Sequence, residues 1–277
     1  NLGHAHPAVH RAICEQSEKL LHTSNIYKIA AQESLADKLT EKSGMDNVFF
    51  CNSGAEANEA AIKLARKWAY QVKGVPRYQT EIIVCENNFH GRTVSIISFS
   101  TEPLYREAFG PFTPGFVIVP FGDSDAVKQA ITPNTAAVMI EPIQGEAGVI
   151  VPPEGYLQEL RQLCTENNVL LIADEIQTGL GRTGRLFASD HEGVRPDMII
   201  LGKALSGGFY PVSAVVADGP ILELFTPGEH GSTFGGNPLA SAVARAAIRV
   251  LVEENLIENA SLMGAYFQEQ LVEINSP

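Results

Sequence analysis

The chain has 277 residues, of which 45% are hydrophobic and 19% charged, and its formal net charge is −12. This composition is typical of a globular protein with a large core. Because acidic residues outnumber basic ones by 32 to 20 and no run of Lys or Arg occurs, nucleic acid and anionic membrane surfaces are unexpected partners. No apolar stretch is long enough to span a bilayer and no signal pattern is present, so we expect a cytoplasmic protein.

Short apolar runs alternate with helical periodicity along the chain. In chain order the pattern predicts a strand at 47–51, a helix at 55–72, strands at 81–85, 94–99, 116–119 and 136–141, a helix at 154–168, strands at 168–174, 197–201 and 211–217, and a helix at 237–255. This alternation is typical of βαβ units around a mostly parallel sheet covered by helices on both faces. The cysteines are far apart and form no CxxC pair, so we expect reduced core residues at Cys14, Cys51, Cys85 and Cys164.

Polar residues follow three of the predicted strands directly. Glu141 and Asp174 each end an apolar run, and Lys203 follows "MIIL" after one glycine. Ligands of such sheets bind beyond the carboxyl ends of the strands, so these side chains are expected to converge. Each also has an ordinary interpretation: the lysine suits a turn, and strand-end carboxylates often pair with Arg or cap helices.

Two turns rich in small residues precede helices. "CNSGAEANEA" (51–60) places Ser53, Gly54 and Ala55 at a helix start, and "HGSTFGGNP" (230–238) offers the hydroxyls of Ser232 and Thr233. Backbone N–H groups at a helix N-terminus bind anions, so both turns are candidate phosphate sites. Ser53 could instead be only a helix cap.

Other motifs are weaker. His4, His6 and His90 have no third ligand at credible spacing, so we expect no metal site. "GLGRTG" (179–184) has neither the GxGxxG spacing nor a P-loop ending, which gives little support to nucleotide binding.

Together the candidates complement pyridoxal 5′-phosphate. That cofactor needs a lysine that forms a Schiff base, an acid for its ring nitrogen, an anion site for its phosphate and an aromatic platform such as Phe89. Lys203, once displaced by a substrate amine, could then move a proton as general base and acid. The glycines beside it would let the backbone approach the cofactor.

The motifs "CNSGAEANEAAIKLARKW", "NNFHGRT", "EPIQGEAGV", "IADEIQTGLGRTG", "LGKALSGG" and "HGSTFGGNPLA" resemble the class III, fold-type I, pyridoxal phosphate-dependent aminotransferases. The resemblance runs along the whole chain. It implies an α/β fold, the large domain of the type I transferases with a mostly parallel seven-stranded sheet and helices on both faces. It also implies an N-terminal helical part at 1–46, a cofactor-binding large domain at 47–250, and at 251–277 the start of a linker helix to a C-terminal small domain.

The resemblance assigns cofactor contacts position by position. It implies that Lys203 binds the cofactor covalently, that Asp174 pairs with the pyridine nitrogen and that Gln177 bonds the phenolic oxygen. The phosphate would lie on the turn that contains Ser53, Gly54 and Ala55, with Phe89 stacked on the ring.

The resemblance also implies substrate contacts and a homodimer with shared sites. The substrate candidates are Tyr27, Arg92, Glu141 and Glu146, and Glu146 would pair with a switching arginine. Thr233, beside Ser232, would reach the phosphate of the neighbouring subunit. The resemblance places the switching arginine beyond Pro277, so we expect a fragment of a longer protein with impaired catalysis.

The leading functional expectation is transfer of the δ-amine of L-ornithine to 2-oxoglutarate, giving glutamate 5-semialdehyde and glutamate. N-acetylornithine and 4-aminobutyrate are alternative donors, because all three substrates present a terminal amine. A non-catalytic scaffold of the same fold and a nucleotide-binding module are the alternatives of another class, and neither has a reason to keep both Lys203 and Asp174.

Overall fold

Seven strands form one sheet in the computed structural model, which describes residues 2–274 apart from the side chain of residue 273. The strands are β1 (Asn47–Cys51), β2 (Glu81–Cys85), β3 (Phe116–Val119), β4 (Thr135–Ile140), β5 (Leu170–Asp174), β6 (Met198–Leu201) and β7 (Ser213–Ala217). Their order across the sheet is β1-β7-β6-β5-β4-β2-β3. All neighbours are parallel except β7, which is antiparallel to both β1 and β6. The predicted mostly parallel, seven-stranded sheet is confirmed.

Helices flank this sheet on both faces. They are α1 (Pro7–Ser17), α2 (Ala30–Ser43), α3 (Gly54–Trp68), α4 (Val94–Ile97), α5 (Pro103–Arg106), α6 (Ser124–Ala130), α7 (Tyr156–Glu166), α8 (Gly219–Leu222), α9 (Pro238–Glu253) and α10 (Leu256–Ile274). A π-helical turn, Ala69–Lys73, extends α3, and 3₁₀ turns occupy Ala188–Glu192 and Lys203–Ser206.

The side chains of β6 and β7 alternate between two cores. Ile200 and Val215 pack in the core that contains the apolar face of α3. Ile199 and Val216 point the other way, into a core shared with α2 and α9. Because successive strand residues face opposite sides of a sheet, a strand covered by helices on both faces must be apolar throughout. This requirement explains the unbroken apolar runs in the sequence.

One predicted strand is wrong. The sequence pattern predicts an extended segment at 94–99, but Val94–Ile97 form α4. Within this turn Ile96 and Ile97 are buried, whereas Val94 is 56% exposed. A short run of β-branched residues suits a buried helical turn as well as a strand, and periodicity cannot separate the two over four residues.

The cysteine prediction is also wrong at one position. Cys51, Cys85 and Cys164 are buried and reduced, but Cys14 is exposed on α1. That helix packs on α9 through another face, with Val9 in a small core beside Val243. Across residues 2–274, no helix has both the length and the apolarity that a membrane crossing requires.

Candidate active site

The N-terminus of α3 opens toward the carboxyl edge of the sheet. Ser53 caps this helix with a reciprocal pair of bonds: its Oγ accepts from the Glu56 N–H at 3.3 Å, and Glu56 Oε2 accepts from the Ser53 N–H at 3.1 Å. The ordinary interpretation of Ser53 as a cap is therefore confirmed. The first N–H groups of a helix have no partner within it, so those of Gly54 and Ala55 can bind an anion.

Gly54 is required by packing. A Cβ at this position would lie 2.7 Å from Ile176 Cδ1, in the loop after β5. Gly91 is constrained in the same way, because a Cβ there would lie 2.8 Å from Ala55 Cβ and the backbone has a φ of +128°. Glycine thus brings the start of α3 close to both neighbouring loops.

A cavity of about 180 Å³ lies at this end of α3. Its wall consists of Gly54, Ala55, Phe89, His90, Gly91, Glu141, Asp174, Ile176, Gln177 and Lys203. The predicted strand-end residues Glu141, Asp174 and Lys203 therefore converge, as expected at the carboxyl edge of an open α/β sheet. Larger cavities occur elsewhere, including one of about 400 Å³ between α1, α2 and α9, but they do not contain this group of residues.

Lys203 enters the cavity from the turn after β6. Its side chain is 52% exposed, and Nζ lies 3.8 Å from Glu146 Oε1. An ion pair this exposed contributes little to stability, so the amine is not held in a strong salt bridge. The backbone of Lys203 is left-handed, with φ at +38°. For a residue with a Cβ this conformation costs about 1–2 kcal/mol, and such strain is typical of functional sites.

Asp174 forms the opposite wall and is almost fully buried, with 3% of its side chain exposed. Its Oδ2 accepts from His90 Nδ1 at 2.7 Å and from Asn58 Nδ2 at 3.0 Å. Its Oδ1 accepts from the Ile176 N–H at 3.1 Å. Three donors therefore hold this carboxylate in one orientation.

Burial and neighbouring charges shift the protonation of two other groups. Burial raises the pKa of Glu141 to about 7; the charge of Asp174 adds to this rise, while His90 and the N–H of Phe89 oppose it. For His90 burial alone would lower the pKa, but the hydrogen bond and charge of Asp174, with the charge of Glu141, outweigh burial and raise it. The cavity thus has two acidic groups and one basic group on its buried side.

The predicted substrate residues lie around the mouth of the cavity. The guanidinium of Arg92 lies over the rings of Phe89 and Tyr105, at 5.2 and 5.0 Å from their centroids. Glu146 Oε1 accepts from Gln177 Nε2 at 3.0 Å. Tyr27 is 67% exposed.

Ser232 and Thr233 lie apart from Lys203. They line a different cavity of about 400 Å³, together with Asn52, Glu56 and Thr93. There Ser232 Oγ accepts from Asn52 Nδ2 at 3.0 Å. Within one chain, the two candidate phosphate turns therefore do not face the same cavity.

The sequence analysis missed two residues of this site, His90 and Asn58. His90 was considered only as a metal ligand, and no group of three His, Cys, Asp or Glu side chains among residues 2–274 could hold a metal ion. One signal was available: Asn58 is a polar residue on the alanine-rich buried face of α3. A buried amide needs polar partners, which indicates a site beneath it.

The family comparison matches residues 1–277 to aminotransferase class III. The chain belongs to this family. Class III aminotransferases are transaminases that use pyridoxal 5′-phosphate. The donor set of the cavity fits that cofactor, because it combines an amine, a buried carboxylate, a helix N-terminus and an aromatic ring around one small space.

Individual class III relatives are similar along the whole chain. An ornithine aminotransferase of Brevibacillus brevis is 57% identical over 277 residues, which is 100% of this chain and 69% of the relative. One from Bacillus subtilis is 52% identical, with 100% and 69% covered. These proteins are longer than the present chain.

Solved class III structures give the same result. An ornithine aminotransferase of Toxoplasma gondii has a TM-score of 0.95 at 48% identity, covering 96% of this chain but 63% of its own. The chain thus spans less than two thirds of that protein. Another structure of the T. gondii enzyme has pyridoxal phosphate at partial occupancy in its active site. An acetylornithine aminotransferase of Elizabethkingia anophelis has a TM-score of 0.89 at 51% identity, with 99% and 67% covered.

Proposed function

We propose that the chain transfers the δ-amine of L-ornithine to 2-oxoglutarate, yielding glutamate 5-semialdehyde and glutamate, with pyridoxal phosphate as cofactor. The observation that carries the chemistry is the convergence of Lys203, Asp174 and the N-terminus of α3 on one cavity. The ornithine aminotransferases among the relatives support the choice of donor.

When bound, pyridoxal phosphate supplies an aldehyde that condenses with amines and a ring that accepts the electron pair released at the substrate carbon. Lys203 Nζ would accept the proton from that carbon and return it to the cofactor side, as base and then acid. The half-exposed position of its side chain gives the amine the freedom that this movement needs. Asp174 would hold the ring nitrogen in its protonated form.

The remaining cofactor contacts follow from the cavity wall. The N–H groups of Gly54 and Ala55, in the turn capped by Ser53, would bind the phosphate. Phe89 would cover one face of the ring, and Gln177 would donate to the phenolic oxygen.

The substrate would enter past Arg92 and Glu146. A guanidinium is suited to bind a carboxylate through two parallel hydrogen bonds, so we assign Arg92 to the substrate carboxylate. Tyr27 would contact the substrate side chain, and Glu141 would line the buried end of the site. Glu146, beside Lys203, would compete for the cationic end of the donor.

The chain would act as a cytoplasmic homodimer. In one subunit Ser232 and Thr233 line a cavity separate from that of Lys203, and a partner subunit could use them for its own phosphate site. Residues 47–250 would form the cofactor-binding domain, preceded by a helical part at 1–46 and followed by a linker helix at 251–277.

A second donor, N-acetyl-L-ornithine, is favoured by one observation: the likeness to the acetylornithine aminotransferase of E. anophelis. The two donors share the terminal amine and differ at the far end, where the acetyl group removes a positive charge. 4-Aminobutyrate lacks the α-amino and α-carboxyl groups altogether. The three reactions therefore use the same Lys203 chemistry with different contacts at the cavity mouth.

The test is a titration of the cofactor-loaded protein with each donor, followed by visible absorption. Loss of the bound-cofactor band at a much lower concentration of L-ornithine than of N-acetyl-L-ornithine or 4-aminobutyrate is expected. A preference for the acetylated donor would replace the proposal by its alternative. A band that no donor changes would support the non-catalytic scaffold.

A further inference from the structure

Three elements bring polar groups together beneath the cavity. His90 comes from the loop after β2, Asn58 from the buried face of α3 and Asp174 from the end of β5. The His90 side chain is fully buried. Its Nδ1 and the amide of Asn58 both donate to Asp174 Oδ2, at 2.7 and 3.0 Å. These contacts join residues 84 and 116 positions apart in the chain, so only the folded sheet creates them.

The donors of Asn58 are fully used. Besides Asp174, its Nδ2 donates to the backbone oxygen of His90 at 2.8 Å. One amide therefore fixes both the carboxylate and the loop that holds the imidazole. The network carries a cost, because Asn58 Oδ1 and His90 Nε2 are buried among the described atoms without a hydrogen-bond partner. Burying unpaired polar atoms is unfavourable, so stability alone does not explain why the cluster is polar.

We propose that His90 is a positioning residue: with Asn58 it holds Oδ2 of Asp174, so that the carboxylate stays ionised and correctly placed for the cofactor's ring nitrogen. The inference rests on the proposed function, because it assigns the purpose of the cluster to that cofactor. A donated bond to Asp174 favours the charged carboxylate, which burial would otherwise disfavour. In turn the hydrogen bond and charge of Asp174, opposing burial, raise the pKa of His90, which favours a proton on the imidazole.

Packing is the competing explanation for His90. The imidazole lies 5.9 Å from the ring of Phe99, centroid to centroid, in an apolar environment. If filling space were its role, an apolar residue of similar size would replace it better than a small polar one. If donation to Asp174 were its role, the reverse order would hold. His90→Leu and His90→Asn separate the two, because the Asn amide can place a donor where Nδ1 lies.

The experiment measures the dissociation constant of pyridoxal phosphate and the absorption maximum of the bound cofactor. We expect His90→Leu to raise the dissociation constant about 10- to 100-fold and to shift the band, because a charged hydrogen bond is lost. His90→Asn should stay within about threefold of the parent, since it restores a donor. The matched control is His191→Leu, which changes a histidine bonded to Thr183 outside the cavity.

Each result decides between the explanations. Tighter binding by the Leu variant than by the Asn variant, or equal binding by all variants, would overturn the positioning role and leave the proposed function intact. A parent protein that binds no cofactor would overturn the proposed function and this inference with it. If His90→Leu does not fold, His90→Gln replaces it, because its longer amide matches Nε2 rather than Nδ1; about tenfold weaker binding than His90→Asn is expected.

Discussion

At the scale of single residues, the amine of Lys203 is the group on which the proposed chemistry depends. We expect Lys203→Ala to remove covalent attachment of the cofactor and to slow amine transfer by on the order of 10²- to 10⁴-fold, because no other base is expected to replace it. Borohydride reduction followed by mass spectrometry measures the attachment. Lys19→Ala, at an exposed position of the N-terminal region, is the control. A cofactor adduct that persists in Lys203→Ala would contradict the assignment.

Glu141 gives a prediction on pH. Burial, with the charge of Asp174, raises its pKa from 4.5 to about 7. Between these values the folded protein binds a proton that the unfolded chain does not, so stability from the neutral carboxyl is fully present below pH 4.5 and is lost as the pH rises through 7.

Glu141→Gln cannot titrate and still offers an oxygen to the Phe89 N–H, which bonds Glu141 Oε2 at 3.0 Å. The free energy of unfolding of the parent, relative to this variant, should therefore fall by about 2–3 kcal/mol between pH 5 and pH 7.5. Urea unfolding of both proteins at the two pH values measures this difference. A constant difference would mean that Glu141 is charged throughout the range.

Individual residues could be predicted where position along the chain was sufficient. Lys203, Asp174 and Glu141 follow strands, and the rule for open sheets is enough to place all three at one edge. His90 could not be recognised in this way, because its role depends on a partner 84 residues away. Lone histidines have many roles, and the sequence does not show which carboxylate a histidine will contact.

At the scale of elements, α3 begins with a reciprocal cap that also shapes the proposed phosphate site. We expect Ser53→Ala to lower the free energy of unfolding of the cofactor-free protein by about 1 kcal/mol, because the Glu56 N–H loses its acceptor. Denaturant unfolding measures the change. Ser17→Ala, which removes a hydroxyl that donates only to the Cys14 carbonyl, is the control and should have a smaller effect. Equal losses in both variants would show that the cap is energetically silent.

Elements were predictable when they were long or fully apolar. The patterns predicted the seven strands and the helices α3, α7 and α9, with differences of a few residues at the ends. The pattern failed at α4, a four-residue turn whose buried face consists of Ile96 and Ile97. The turn is too short for helical periodicity to develop, so β-branched composition alone suggested a strand.

At the scale of the whole molecule, the split between the cavities of Lys203 and Thr233 gives a test of the proposed dimer. We expect Thr233→Ala to weaken cofactor binding about tenfold if its hydroxyl bonds the phosphate of a partner site. Lys203→Ala removes covalent attachment in its own subunit. A dimer with one subunit of each kind would contain one site with both residues intact.

Co-expression of the two variants, purification of the hybrid through different tags and titration with cofactor give the measurement. One site per dimer should bind with the parent affinity, although each variant alone is impaired. A hybrid without any parent-like site would show that Thr233 acts within its own chain, which would require a rearrangement of its loop. A monomer in sedimentation would exclude shared sites altogether.

The left-handed backbone at Lys203 has a consequence for selection experiments. Glycine adopts a φ of +38° without the steric cost that lysine bears. A library selected only for folded protein should therefore enrich glycine at position 203, with a gain of about 1 kcal/mol, whereas a library selected for turnover should retain lysine alone. Selection for stability would thus yield sturdier proteins that have lost their chemistry.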